Sequence, residues 1–496
     1  MYLLGYDIGT SSIKAALMDS QTQQVKASAT CPKKEMEIIA QKSGWAEQHP
    51  ETWWENVKTA TAEILSAGGI SPADIAAIGI TYQMHGLVCI DKDKKVLRPS
   101  IIWCDSRAVE YGKTAAGQIG PEKCLRQLLN YPGNFTAAKL KWVMENEPDI
   151  YRRIDKIMLP GDYIAMKMTD RIVTTVSGLS EGIFWDFKNA KVADILLDNL
   201  GISPKLLAPT VETFANQGEL TDSAARELGL KAGIPIAYRA GDQPNNAFSL
   251  NVLNPGEIAA TAGTSGVVYG IGDKPDYDPK SRVNTFVHVN DSPKAHRNGV
   301  LLCLNGTGIL NSWLKHNIAA AGEDYPQMND LAGKVSIGSD GLVVLPFGNG
   351  AERTLENKNI GASIGGMNFN THTKAHLLRA AQEGIVFALN YGLGIMRQMG
   401  IEIRTVRAGS ANMFLSPIFA SVFATVTGAR VELYNTDGSQ GAARGAGVGA
   451  GIYKDFPQAF TGLKKTKTIE PDSSAKAQYE QAYCRWQKAL EAQLAG

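Results

Sequence analysis

The sequence predicts an α/β protein built from two duplicated halves. Three observations point there. At 496 residues the chain is too long for a single core, so two large domains are expected. Short apolar runs ending in small polar residues alternate with helix-like stretches, the pattern of α/β architecture. One arrangement, an apolar run, a Gly-Thr-Ser tip and a second apolar run, occurs in both halves. It spans residues 2–6, Asp7-Ile8-Gly9-Thr10-Ser11-Ser12 and Ile13–Met18, then Ile258–Ala262, Gly263-Thr264-Ser265-Gly266 and Val267–Tyr269. The halves are expected to divide near residue 247, as 1–247 and 248–496, without a Pro/Gly/Ser linker.

Bulk properties exclude several classes. The net charge of +1 gives no electrostatic reason to expect nucleic acid as a partner. The six cysteines are scattered and form no C-x-x-C pair, so neither a zinc site nor a disulfide framework is expected. No apolar run approaches the ~20 residues that span a bilayer, and the N-terminus has no secretory pattern. The expectation is a cytoplasmic protein with reduced thiols and no membrane partner.

The elements follow in order. Gly44–Trp54 leads into a helix, with Pro50 in its first turn and Val57, Ala60 and Ile64 at helical spacing. Ile75–Thr81 reads as a buried strand ending in Tyr82-Gln83-Met84-His85-Gly86. Leu87–Ile90 and Ile101–Trp103 are further strands, the latter ending in Cys104-Asp105-Ser106-Arg107. Ser177–Gly182 is small and polar, as at a surface or a cleft rim. Ile234–Tyr238 is a strand running into Arg239-Ala240-Gly241-Asp242-Gln243, which places Asp242 where a strand ends. Taken alone, Gly-Asp there is an ordinary turn or helix cap. In the second half, Leu342–Leu345 is a strand and His376–Arg397 a long helix. Val406–Ala408 ends in Gly409-Ser410-Ala411-Asn412, and Asp437–Ala443 opens a helix rich in small residues.

The chain has no G-x-x-x-x-G-K-[ST]. The run Gly445–Gly451 lies in a helix-like segment and not after a strand, so close helix packing explains it better than dinucleotide binding. There is no H-E-x-x-H and no Cys/His cluster for a tightly held transition metal. What remains is two donor-rich hairpin tips, acids at strand ends and one carboxylate between the halves. Phosphoryl transfer requires those parts: donors for phosphates, Mg²⁺ to neutralise charge and a base for the attacking hydroxyl.

These residues resemble the FGGY family of carbohydrate kinases, from residue 2 to roughly 455. Asp7-Ile8-Gly9-Thr10 is similar to the family's first phosphate motif and Gly263-Thr264-Ser265-Gly266 to its second. Gly409-Ser410-Ala411-Asn412 resembles the adenosine motif, and Asp437–Ala443 the helix start that flanks the adenine. Thr136–Trp142 fits the first family signature except at Asn134. Ala362–Glu383 fits the second except at Gln382. The resemblance implies two duplicated actin-like, ribonuclease-H-like ATPase domains with a catalytic cleft between them.

It also implies ATP and Mg²⁺ as cofactors, a small-molecule sugar as partner, and admits a homodimer. Within the family, Gln83-Met84-His85-Gly86, Arg98–Arg107 and Gly44–Trp54 resemble the xylulose kinases, which implies conversion of D-xylulose and ATP to D-xylulose 5-phosphate and ADP. Asp242 is then the base and Asp7 supports Mg²⁺. Gly9, Thr10, Ser11, Gly263, Thr264 and Ser265 contact phosphates, and Gly409, Ser410, Ala411 and Asn412 the adenosine. Met84, His85, Gly86, Asp105, Asp242 and Gln243 contact the sugar, and Trp103 is either a sugar platform or part of the core. One departure bears on the sugar: Gln243 stands where xylulose kinases usually carry Asn. The alternatives are a kinase for another ketose or a sugar alcohol, and a non-catalytic actin-like ATP-binding protein.

Overall fold

A computed structural model describes residues 1–495. Its contacts divide the chain into two units. The first comprises Met1–Asn251, Phe286–Asn298 and Thr436–Leu463; the second comprises Val252–Thr285, Gly299–Asn435 and Lys464 onward. The first break falls after Asn251, and two later segments return to the first unit. The segment 436–463 lies with the first unit because the helix Gly438–Gly449 packs on the first unit's strands.

The sheet of the first unit has the order 236–241, 75–82, 2–8, 13–19, 25–31. Tyr2–Ile8 pairs antiparallel with Ile13–Asp19 and parallel with Ile75–Tyr82, which in turn pairs parallel with Ile236–Gly241. The central strands are buried along nearly their whole length, as strands covered on both faces must be. On one face lies the helix Pro50–Gly68, whose Trp53, Val57, Ala60 and Ile64 join the core. On the other lies Gly438–Gly449. Its close approach depends on glycines in the strands: a Cβ on Gly5 would stand 1.9 Å from the Ser439 carbonyl oxygen, and one on Gly79 would stand 2.0 Å from that of Ala442. Gly445 packs on the Tyr238 ring, so the glycine run serves helix packing, as its sequence context suggests.

The second unit repeats this order. Its sheet carries 430–434, 405–409, 257–262 and 266–272 as neighbours. Glu257–Ala262 pairs antiparallel with Gly266–Gly272 and parallel with Thr405–Gly409, which pairs parallel with Arg430–Tyr434. The duplication suggested by two hairpin tips thus extends to the pairing of the strands that follow. The long helix Lys374–Gln398 supplies much of this unit's core through Ile385, Phe387, Leu389 and Leu393. Among the described residues no helix is long and apolar enough to cross a membrane.

Candidate functional site

In the first unit three neighbouring parallel strands end side by side, and the ends of such strands are where α/β proteins place their ligands. Register pairs Asp7 with Thr81 and Gly241 with Tyr82, so Asp7, the Gln83-Met84-His85 segment and Asp242 emerge at one edge. Asp242 is the first residue of the helix Asp242–Ser249, immediately after the strand. Burial and, next, the Asp7 carboxylate push its carboxyl up to about 7. Hydrogen bonds from Gln243 oppose this rise. Asp7 is raised to about 6, first by burial; Lys14 lowers it and Asp437 raises it. Asp7 also lies against the start of the helix Gly438–Gly449, where a Cβ on Gly438 would stand 2.8 Å from its Oδ2. Asn245 Nδ2 donates to the Gly438 carbonyl at 2.9 Å and ties the helix that follows Asp242 to the same point.

His85 holds a left-handed backbone, φ 61°, which a non-glycine residue rarely adopts and which marks a constrained position. Its Nδ1 lies 2.8 Å from the Glu181 carbonyl oxygen. A carbonyl only accepts, so Nδ1 carries the proton in this pairing. Lys139 Nζ donates to the His85 carbonyl at 2.8 Å, and Phe135 and Phe286 pack on the ring. Lys139 is fully buried, and burial draws its amine down to about 7. Met84 is buried beside Gly241: a Cβ on that glycine would meet Met84 Cγ at 2.7 Å and Glu181 Oε2 at 2.5 Å.

A second network runs through Thr10. Its hydroxyl donates to Gln83 Oε1 at 2.9 Å and accepts from Trp103 Nε1 at 2.9 Å. Gln83 continues to Gln48, which also accepts from Trp53 Nε1. Trp103 is half-exposed, so it is not a core residue, and its indole is held against the first hairpin tip. Asp105 is not with this group. It is fully buried, bridges to Arg107 through both oxygens at 2.7–3.0 Å and accepts the Ala46 amide at 2.5 Å. Arg107 in turn stacks on Trp45 and Trp142 and pairs with Glu47. Both oxygens of Asp105 are thus engaged within the fold.

In the second unit, the tip Gly263-Thr264-Ser265 meets the start of the helix Gly308–Asn317. Gly308 and Ile309 amides donate to the Gly263 and Thr264 carbonyls. The first of these contacts requires glycine, since a Cβ on Gly308 would stand 2.2 Å from the Gly263 oxygen. Asn412, left-handed at φ 55°, brings its Nδ2 near Gly263, and the Ser410 amide donates to Tyr434. The hairpin tip and the loop 409–412 are therefore one cluster. On the same helix, Ile309, Leu310 and Trp313 line an apolar cavity of about 500 Å³.

Glu181 is the residue that sequence reasoning missed. Ser177–Gly182, expected at a surface or rim, is instead a buried helix, Val176–Glu181, followed by the buried Gly182. Burial and then the Asp242 carboxylate hold the Glu181 carboxyl well above the usual range. Nothing in an isolated Ser-Glu-Gly marks such a residue, because its neighbours come from distant strands.

Comparison with known proteins fits this arrangement. Residues 2–249 match the N-terminal domain, and residues 258–452 the C-terminal domain, of the FGGY family of carbohydrate kinases. The chain is 29% identical over 466 residues to the xylulose kinase of Bacillus subtilis (strain 168), covering 92% of this chain and 90% of that protein. It is 29% identical over 511 residues to the L-xylulose/3-keto-L-gulonate kinase of Escherichia coli (strain K12), covering 99% and 97%. A solved xylulose kinase from Rhodospirillum rubrum superposes with a TM-score of 0.89 at 27% identity, over 100% of this chain and 99% of that one. With both domain models matched in order across most of its length, the chain belongs to the FGGY family of carbohydrate kinases.

Proposed function

We propose that this kinase transfers the γ-phosphoryl group of ATP to D-xylulose, giving D-xylulose 5-phosphate and ADP, with Asp242 as the general base. The observation that carries the reading is Asp242 itself: a buried carboxylate at a strand end, beside the Met84-His85 segment, with its proton affinity raised to about 7. A base works best when its pKa lies near the operating pH. The acceptor hydroxyl gives its proton to Asp242, its oxygen forms the new bond to the γ-phosphorus, and the bond from that phosphorus to the bridging oxygen breaks to release ADP. His85, with Nδ1 engaged by the Glu181 carbonyl, directs its other nitrogen chemistry to the acceptor, and Gln243 holds Asp242.

Gly9–Ser11 and Gly263–Ser265 contact the phosphates on this reading, and Gly409–Asn412 the adenosine. The Thr10 hydroxyl is already committed to Gln83 and Trp103, which leaves the backbone of its tip as the donor. Asp7 suits Mg²⁺: an oxygen ligand beside a helix start, with a raised pKa that a neighbouring cation would relieve. Bound there, Mg²⁺ supplies charge neutralisation at the phosphates.

Asp242→Ala is expected to abolish sugar-dependent ADP release while ATP binding, read by calorimetry, persists. Substantial turnover in that variant sinks the assignment. Gln243 and the similarity to a kinase named for L-xylulose and 3-keto-L-gulonate favour, as a second reading, a different ketose acceptor. A panel of ketoses and sugar alcohols in a coupled ADP-release assay separates the two; no preference for D-xylulose refutes the first.

A further inference from the structure

Glu181 ends a short buried helix, is 2% exposed, and its Oε1 finds no hydrogen-bond partner among the described residues. A buried polar atom without a partner is destabilising, so one beside Asp242 calls for an explanation. Its surroundings narrow the choice. Oε2 lies against Gly241, at 2.5 Å from where a Cβ would stand, and only glycine at that position admits the carboxyl next to Met84. The Tyr82 hydroxyl, at the end of the neighbouring strand, donates to the carboxyl. The Glu181 carbonyl fixes His85. The charged groups facing it are Asp242, Asp162 and Lys139. Asp162 is engaged by Arg239 at 2.8 Å, and Lys139 by the His85 carbonyl, so neither forms a salt bridge with Glu181. Burial and then Asp242 favour the protonated form of this carboxyl, which offers one donor and one acceptor. That is the complement of a sugar hydroxyl.

We propose that Glu181 is a specificity-determining residue of the acceptor site, its carboxyl hydrogen-bonding a hydroxyl of the polyhydroxy acceptor next to the one that Asp242 deprotonates. The inference rests on the reading that Asp242 and His85 face the acceptor, and it adds the group that reads the acceptor's neighbouring hydroxyl. A site built to hydrogen-bond a hydroxyl rejects an analogue lacking it far more strongly than an apolar pocket does. Gln would retain the neutral donor and acceptor, Ala would remove them, and Met would remove them while keeping the volume.

The test is steady-state kinetics of wild type, Glu181→Gln, Glu181→Ala and Glu181→Met on D-xylulose and on its 1-deoxy, 3-deoxy and 4-deoxy analogues. On D-xylulose, E181A and E181M are expected to raise the sugar KM by about 10- to 100-fold, as loss of one hydrogen bond to a charged or strongly polar group does, with the ATP KM unchanged. E181Q stays within about fivefold of wild type on the same argument. On the one deoxy analogue that lacks the hydroxyl being read, wild type, E181A and E181M converge. E181M carries the test if E181A does not fold. An equal loss on every acceptor, or a loss in E181Q as large as in E181M at an unchanged melting temperature, overturns the proposal. Failure of wild type to phosphorylate D-xylulose refutes the sugar assignment instead; the same variants are then run on the best acceptor of the panel and its deoxy analogues.

Discussion

At Asp242, the role proposed for the carboxylate and the stability of the fold pull in opposite directions. In the folded protein its carboxyl titrates at about 7, against 3.8 for the unperturbed group, so the native state holds this proton more tightly than the unfolded chain. Native and unfolded states are equally protonated well below pH 3.8, and the native state loses stability as pH rises from there through about 7. Asp7 contributes in the same direction up to about 6. Asp242→Asn should therefore flatten the dependence of melting temperature on pH and raise it at pH 8 by about 2 °C or more, while turnover is lost. A lower melting temperature at pH 8 with the same slope would contradict this. In the wild-type enzyme, proton abstraction should strengthen as pH rises toward about 7, because only ionised Asp242 accepts a proton. An acid limb in kcat/KM reads this directly, and a profile that stays flat as pH falls below about 6 would contradict it.

The element that fixes the site's geometry is the helix Gly438–Gly449. It reaches the strands of the first unit because Gly5 and Gly79 leave no side chain in its way, and it ends its approach with Gly438 against Asp7. The obstructing atoms are backbone, which cannot rotate aside as a flexible side chain could. Gly5→Ala or Gly79→Ala should cost at least about 2 kcal/mol, measured by urea unfolding, by forcing helix and sheet apart. Gly117→Ala is the control: Gly117 lies within the helix Val109–Ile119 with nothing within 4 Å of a new Cβ, so it should be neutral or stabilising by up to about 1 kcal/mol. Equal losses in all three variants would remove the packing argument. The elements themselves were largely legible in sequence. The hairpin at Asp7, the hairpin at Gly263, the proline-started helix at Pro50 and the strand before Asp242 all form where apolar runs, turn residues and helical spacing put them. The segment Ser177–Gly182 was not, because small polar residues suit a surface and a tightly packed helix equally well. The pairing of Asp105 with Arg107, two residues on, was not legible either, because opposite charges two apart in a loop pair only when the fold buries both.

For the whole molecule, membership of a kinase family makes ligand linkage the natural test. A ligand that binds only the folded state at 100 times its dissociation constant adds about 2.7 kcal/mol. Mg²⁺ with ATP should raise the melting temperature more than ATP with a chelator, and Asp7→Asn should remove most of that difference while leaving the response to ATP alone. An undiminished Mg²⁺ increment in the variant would remove Asp7 from the metal's surroundings.

Sequence alone determined the duplicated α/β plan, the hairpin tips, the family resemblance and the position of Asp242. These depend on local pattern: hydrophobic period, turn residues and motif order are properties of neighbours along the chain. Tertiary structure decided what each acid is free to do. Asp105 is paired with an arginine, Asp7 is set against a helix from the other end of the chain, and Glu181 is carried from an unremarkable turn of helix to the flank of Asp242. Burial and the field of distant carboxylates set those proton affinities, and both exist only once the strands have paired.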